Sequence, residues 1–247
     1  MSAERADAYR PFRVLPWWLV GLMLVSLALN IGLSGLELLV ALRHPTLTDA
    51  GTSPAAPTEL ALLLSVVGVG LAYLAVLLAC VVLFCVWLHR VNRNARALGA
   101  AGMEYTPGLA VAWFFVPLFN LFKPYYAVKE VYQASGPDVG AEGDGSGAPS
   151  TRWSDAPVPL QLRLWWLTWI GSNLLDSASL RFSLENADAR SAWLGVAGAL
   201  VMIPCTLFAT WLVLEIGDRQ ALRAERVART PDLSSLAEAA PGPTFPA

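Results

Sequence analysis

"WFFVPLFNLFKPYYAVKEVY" runs from Trp113 to Tyr132. It is apolar enough to enter a bilayer, yet Pro117, Asn120, Lys123 and Pro124 interrupt it. Whether it crosses, or enters and turns back, decides the topology of everything after it. Leu109 to Phe122 is 14 residues, about 21 Å of helix at ~1.5 Å per residue. A bilayer core is about 30 Å thick and asks for about 20 apolar residues. Pro117 also removes a backbone donor in mid-segment. Broken backbone at membrane depth is tolerated where protein covers it. The stretch therefore reads as a re-entrant or interfacial segment over about residues 107–122, turning near Pro117 and Asn120. Lys123 and Lys129 then mark its exit. A fifth, short crossing is the alternative.

On either side of it, four runs are long and apolar enough to span: about 16–42, 60–88, 162–182 and 192–216. The second is longer than a bilayer needs, so it should tilt or protrude. The first is too long for a signal-peptide core and lacks a clean small-residue cleavage site, so it reads as an anchored helix. Composition agrees with a membrane protein. The 247 residues are 55% hydrophobic and 15% charged, with mean hydropathy +0.51. Soluble domains have roughly 45–50% apolar and about 25% charged residues.

Charge counting separates the two topologies. If the opening stretch turns back, 14 of the 17 Lys and Arg lie on the side of the termini, and only Arg43, Arg181 and Arg190 lie opposite. If it crosses, the split is 8 against 9. The positive-inside rule selects the first arrangement. The expected fold class is an all-α membrane protein, a four-span helical bundle with a re-entrant or interfacial Pro-containing segment and both termini cytoplasmic. Residues 1–15 form a cytoplasmic segment, 16–217 the membrane domain with a Gly-rich flexible loop at 134–159, and 218–247 a tail that is basic and then disordered. Trp17, Trp18, Trp87, Trp165 and Trp166 fall at the cytoplasmic ends of the spans and Trp193 at an outer end, as interface-seeking rings should.

The segment from Trp87 to Ser135, with its basic "HRVNRNARALG", its "YTPG" turn and its "WFFVPLFNLFKPY" core, resembles a bacterial membrane family known as domain of unknown function 4328. The later "LRLWWLTWIGSN" strengthens the resemblance, which covers roughly residues 60 to 217. It implies a multi-span bacterial membrane protein and no particular activity; with the cytoplasmic termini, the expected location is the bacterial cytoplasmic (inner) membrane. The re-entrant motif Pro117, Asn120, Lys123 and Pro124 is its most recognisable part.

Two constellations invite a functional reading. The first span carries Asn30, Ser34 and Glu37 at i, i+4 and i+7, one helical face. The third carries Ser172, Asp176 and Ser179 at the same spacing, with Asn173 adjacent. Ionisable groups inside spans are costly and face protein or water. Asn30, Glu37, Asn173 and Asp176 are thus a candidate intramembrane polar cluster, able to hold a cation or relay a proton. The competing reading is interhelical glue, with the acids neutralised by Arg43 and Arg181. The second constellation is His89, Arg90, Arg93 and Arg96, directly after the second span. It is a candidate contact for anionic lipid headgroups or another membrane protein. No soluble basic domain with base-reading side chains is present, so no nucleic-acid partner is expected.

Small residues recur on one face of the second span (Ser65, Gly68, Ala72, Ala75, Ala79) and of the last (Ala192, Gly195, Ala199, Thr206, Ala209), which predicts close helix packing on both. Pro204 interrupts the last span. Cys80, Cys85 and Cys205 lie in apolar runs without ligand spacing, and His44 and His89 fall on opposite sides, so neither a disulfide nor a metal or cofactor site is expected. There is no nucleophile elbow, phosphate loop or H-E-x-x-H. The expectation is a non-enzymatic scaffold, sensor or interaction module in the bilayer. A small transporter or channel using the polar face for a cation or proton is the alternative.

Overall fold

The structure, a computed structural model, describes residues 9–11, 14–44, 56–136, 152–185 and 189–229. Among the described residues there are six α-helices and no strands: α1 (Leu15–Arg43), α2 (Pro57–Ala97), α3 (Pro107–Ala112), α4 (Lys123–Ala134), α5 (Leu160–Glu185) and α6 (Ala189–Arg229). Three of them, α1, α2 and α6, are long and apolar enough to cross a membrane. α5 has the length, at 26 residues or about 39 Å. Its polar residues set it apart from the other three. The chain divides into two compact units. One comprises the described residues within 14–87 and 159–214, the other those within 1–13, 88–158 and 215–247.

The larger unit is a bundle drawn from α1, the first part of α2, α5 and the first part of α6. Pro16 opens α1, where its missing N–H costs nothing. Leu19, Trp87, Leu162, Trp165 and Leu212 are among its buried side chains, and Trp166 stacks on Trp169 at 4.7 Å between ring centroids. The small residues of α6 (Ala192, Gly195, Ala199, Thr206 and Ala209) are all buried, as their spacing predicts. Those of α2 are not: Ser65, Gly68, Ala72 and Ala75 are exposed, and a methyl added at Gly68 would touch nothing. Only 6% of α2's most apolar window is buried. Leu60, Leu64, Val67, Leu71, Leu74 and Leu78 all face outward. An apolar surface of that extent is untenable in water and suits lipid.

The smaller unit collects the polar ends of the long helices. α2 continues nine residues beyond the expected span boundary at 88 and stops at a Schellman turn. Gly99 takes φ 92°, its N–H reaches the Arg96 carbonyl, and the N–H of Ala100 reaches the Ala95 carbonyl at 3.1 Å. The "YTPG" turn then caps α3. Thr106 Oγ1 accepts from the Leu109 N–H at 3.3 Å and Pro107 occupies the first turn.

The opening stretch is not one helix. α3 has only six residues, about 9 Å. The chain reverses at Pro117-Leu118-Phe119 in a γ-turn: Leu118 takes φ 66° and ψ −44°, and the Phe119 N–H donates to the Pro117 carbonyl at 2.8 Å. After a short 3-10 turn, α4 starts with Pro124 in its first turn. No helix of membrane length exists between α2 and α5 among the described residues.

Residues 152–155, at the far end of the expected flexible loop, form a short 3-10 turn. Trp153 pins it by donating to the Ala101 carbonyl at 2.9 Å, and Gln133 Nε2 donates to the Ser154 carbonyl at 2.9 Å. The rest of that loop, 137–151, and the tail expected to be disordered, 230–247, lie outside the described residues, as does most of the expected N-terminal segment. α6 runs to Arg229, so the basic start of that tail is helical.

Candidate functional site

Two acids placed on different helices by their own periodicities meet in the larger unit. Glu37 follows Asn30 and Ser34 along one face of α1, and Asp176 precedes Ser179 and Ser183 along one face of α5. All six line a cleft of about 420 Å³, together with Tyr73 of α2 and Ser191 and Gly195 of α6. Leu33, Val40, Leu63, Val66 and Leu180 complete the walls.

Glu37 and Asp176 are close enough for their charges to interact. Glycines of α6 make room for both. A methyl at Gly195 would come within 3.4 Å of Ser179 Oγ and 3.9 Å of Glu37 Oε2, and one at Gly198 would collide with the Asp176 carboxylate. Neither acid has an ion-pair partner among the described residues. Arg43 and Arg181, the neutralising partners of the glue reading, are exposed and pair with neither. The other polar groups of the cleft are the Asn30 amide and the hydroxyls of Ser34, Tyr73, Ser179, Ser183 and Ser191. Ser179 Oγ spends its proton on the Ser191 carbonyl at 2.7 Å. Asn30 lies beside Tyr73, and its Oδ1 is buried with no hydrogen-bond partner.

The structure thus brings together three of the four residues of the polar cluster. Asn173 stands apart: it is exposed, and its amide donates to the Trp169 carbonyl one turn back at 2.7 Å. Ser172, also on the expected face, is buried and donates to Trp169. Tyr73 takes the place that the sequence pattern assigned to Asn173. Its signal was present, since it is a lone tyrosine in the middle of α2's apolar run.

In the smaller unit the basic constellation splits. His89, Arg90 and Arg93 are exposed, whereas Arg96 turns inward. Arg96 binds Asn92 Oδ1 at 3.1 Å and the carbonyls of Met103 at 3.1 Å and Tyr105 at 2.9 Å. It braces the loop before α3 and is not a free contact. The same loop is held from the other side by Glu130, whose carboxylate accepts from the Glu104 N–H and from the Tyr105 N–H at 3.1 Å. Burial pushes the Glu130 carboxyl above the ordinary carboxylate value, against the pull of those two N–H groups and Arg96.

The re-entrant motif divides likewise. Pro124 is buried and starts α4, and Asn120 closes the turn through its N–H to the Val116 carbonyl at 3.0 Å. Pro117 is exposed. Lys123 sits 3.7 Å from Glu104 and over the rings of Tyr105 and Trp113, at 5.4 and 5.7 Å from their centroids. Around the turn Phe115, Leu118, Phe119, Leu121 and Phe122 are exposed, Leu118 by 75%.

Sequence reasoning did not foresee the clamp made by α6. Arg223, only 1% exposed, donates to the carbonyls of Ala134 at 2.6 Å and of Leu98. Those carbonyls are at the C-terminal ends of α4 and α2, where backbone acceptors are unpaired and the helix dipoles are negative. Gln220 donates to the Val91 carbonyl at 2.8 Å and to Ser135 Oγ at 2.9 Å. Arg219 donates to the Tyr132 carbonyl at 3.1 Å and lies over its ring at 4.1 Å. The three cysteines are free, and no group of three or more His, Cys, Asp and Glu among the described residues is placed to hold a metal.

Comparison with curated proteins gives no match, and comparison with solved structures gives none. One family matches across α2 to α6. α1, which brings Asn30 and Glu37 to the cleft, precedes the matched range. The chain belongs to the family described as "Domain of unknown function (DUF4328)", whose sequence model matches residues 54–218.

Proposed function

We propose that this is a non-enzymatic, multi-pass protein of the bacterial cytoplasmic membrane that binds and moves a cation or proton through the cleft between α1, α2, α5 and α6. The observation that carries the reading is that Glu37 and Asp176 share one cleft without a cationic partner among the described residues. Two acids serving only as packing would be expected to have their charges answered within the protein. Here an external cation or a proton answers them.

The membrane arrangement is part of the proposal. α5 is the fourth span, and both termini are cytoplasmic. The turn at Pro117 to Phe122 enters the interface without crossing. The outward-facing Phe115, Leu118 and Phe122 support that placement, as do the exposed Trp17, Trp18 and Trp193.

The test uses the full chain in proteoliposomes with a voltage-sensitive dye. Gradients of H⁺, Na⁺, K⁺ and a small alkylammonium salt are imposed in turn. At least one gradient should move charge, and Glu37→Gln and Asp176→Asn should each abolish the movement while leaving insertion intact. Signals no greater than those of the double variant for every gradient would end the transport reading.

A second reading, an interaction module, draws on a different observation. The small-residue face of α2 (Ser65, Gly68, Ala72, Ala75) is exposed, and such faces admit a second helix at close range. The exposed His89, Arg90 and Arg93 would meet anionic headgroups or a membrane partner. Neither surface carries a base-reading set, so nucleic acid is not among the proposed partners. Crosslinking from Ala72→Cys in native membranes tests it: a specific adduct supports the module, and a uniform lipid-exposed pattern opposes it.

A further inference from the structure

We infer that the cleft takes a protonated aliphatic amine, an ammonium group bearing N–H donors on an apolar body, in preference to a bare metal ion. The inference rests on the cation reading above and narrows its substrate class.

Volume is the first argument. About 420 Å³ is far more than an ion needs and falls in the ~300–1,000 Å³ range of small-molecule pockets. A hard cation wants six or more oxygens at about 2.0–2.6 Å. The cleft holds its two carboxylates on two different helices, and no described cluster of three or more His, Cys, Asp and Glu could hold a metal. Leu33, Leu63, Val66 and Leu180 would remain in contact with empty space around an ion, whereas an alkyl chain covers them.

Donor and acceptor bookkeeping is the second argument. Ionised Glu37 and Asp176 only accept. Ser179 has committed its proton to the Ser191 carbonyl, so toward the cleft it also accepts. These three acceptors, two of them charged, are complementary to a cation that brings several N–H donors, as a primary ammonium does. A quaternary ammonium has the same charge and no donor, so it leaves every one of these acceptors unpaired. Tyr73 adds a ring against which a cation gains further attraction.

The experiment measures binding to the full chain in lipid nanodiscs at constant ionic strength, by calorimetry and by the unfolding midpoint. The probes are hexylammonium, hexyltrimethylammonium, Na⁺ and K⁺ as chlorides. Hexylammonium should bind saturably, and hexyltrimethylammonium at least tenfold more weakly. Asp176→Asn and Glu37→Gln, near-isosteric changes on separate helices, should each weaken hexylammonium by tenfold or more. Only variants with the parent's elution profile and α-helical spectrum are compared, and either one suffices. Equal affinity for the two organic cations overturns the inference. So does saturable Na⁺ or K⁺ binding without hexylammonium binding, and in that case the cation reading itself survives. If no probe binds and both variants match the parent in every gradient experiment, both readings fall together.

Discussion

Gly198 shows how one missing side chain can position a functional group. Its Cα faces the Asp176 carboxylate so closely that a methyl there would collide with it. Gly198→Ala must push Asp176 out of the cleft or α5 away from α6. We expect a loss of cation response approaching that of Asp176→Asn, with a destabilisation of about 1–3 kcal/mol from overpacking, read in the same binding and unfolding assays. Arg223 makes a different prediction. Its planar fork satisfies two carbonyls from two helix ends at once. A lysine in its place would reach one of them at best, so Arg223→Lys should cost about 2–4 kcal/mol through an unpaired buried acceptor and a poorly solvated charge. Denaturant unfolding of the smaller unit, followed by the fluorescence of Trp153, measures it.

Glu130 adds a pH dependence whose sign follows from its surroundings. Burial raises its carboxyl above the ordinary value of 4.5, so the folded chain holds the proton more tightly than the unfolded chain does. The associated stability is fully present below the ordinary value and is lost as pH rises through the raised one. The unfolding midpoint should therefore fall as pH is raised across that interval. Glu130→Gln, which stays neutral, should flatten that part of the profile. A midpoint that rises with pH there and is unchanged by Glu130→Gln would refute the assignment.

Among the described elements, the turn between α3 and α4 is strained. Leu118 sits at φ 66° with its side chain 75% exposed. A branched residue held there costs of order 1–3 kcal/mol. Glycine adopts the conformation freely, at an entropic cost of about 0.5–1 kcal/mol. Leu118→Gly should raise the unfolding midpoint in detergent by the equivalent of about 1 kcal/mol, the difference between that strain and that entropy. If the turn lies in the bilayer interface, the same change should weaken the segment's protection from aqueous labelling reagents in vesicles, because an anchoring leucine is gone. The strained leucine is then retained for lipid contact and not for folding. α2 tells the complementary story: a helix whose apolar window is almost unburied is stabilised by its solvent and not by its neighbours.

For the whole molecule the decisive measurement is topology. Reporter fusions after Gly136 and after Arg229 should both report cytoplasm if α5 spans and the Pro117 turn does not. A periplasmic signal at either position rejects the four-span arrangement. Arg96, Arg219 and Arg223 bear on the reasoning behind it. Charge counting treats every arginine as a free cation near the membrane, but these three are engaged with backbone carbonyls. His89, Arg90 and Arg93 are exposed beyond the apolar part of α2.

Much of this is legible in the order of the residues. Run length and hydropathy identify the long helices to within a few residues at most ends, because a helix that must satisfy its own backbone leaves little freedom. Pro117 and the short run around it exclude a membrane-length helix there. Thr106-Pro107 and Gly99 mark a start and a stop, because caps are local chemistry. The i, i+4, i+7 spacing put Asn30 with Glu37 on one face and Asp176 with Ser179 on another. What spacing could not supply is which face meets which. Only tertiary packing set Tyr73 beside Asn30 and turned Asn173 outward. It also buried Trp87, Trp165 and Trp166 while leaving Trp17, Trp18 and Trp193 exposed. The small-residue face of α6 was covered and that of α2 was left open. The physical reason is common to all of these. A sequence pattern describes one helix at a time, whereas the partner of a side chain is set by the geometry of several helices and by which unpaired carbonyls lie within its reach.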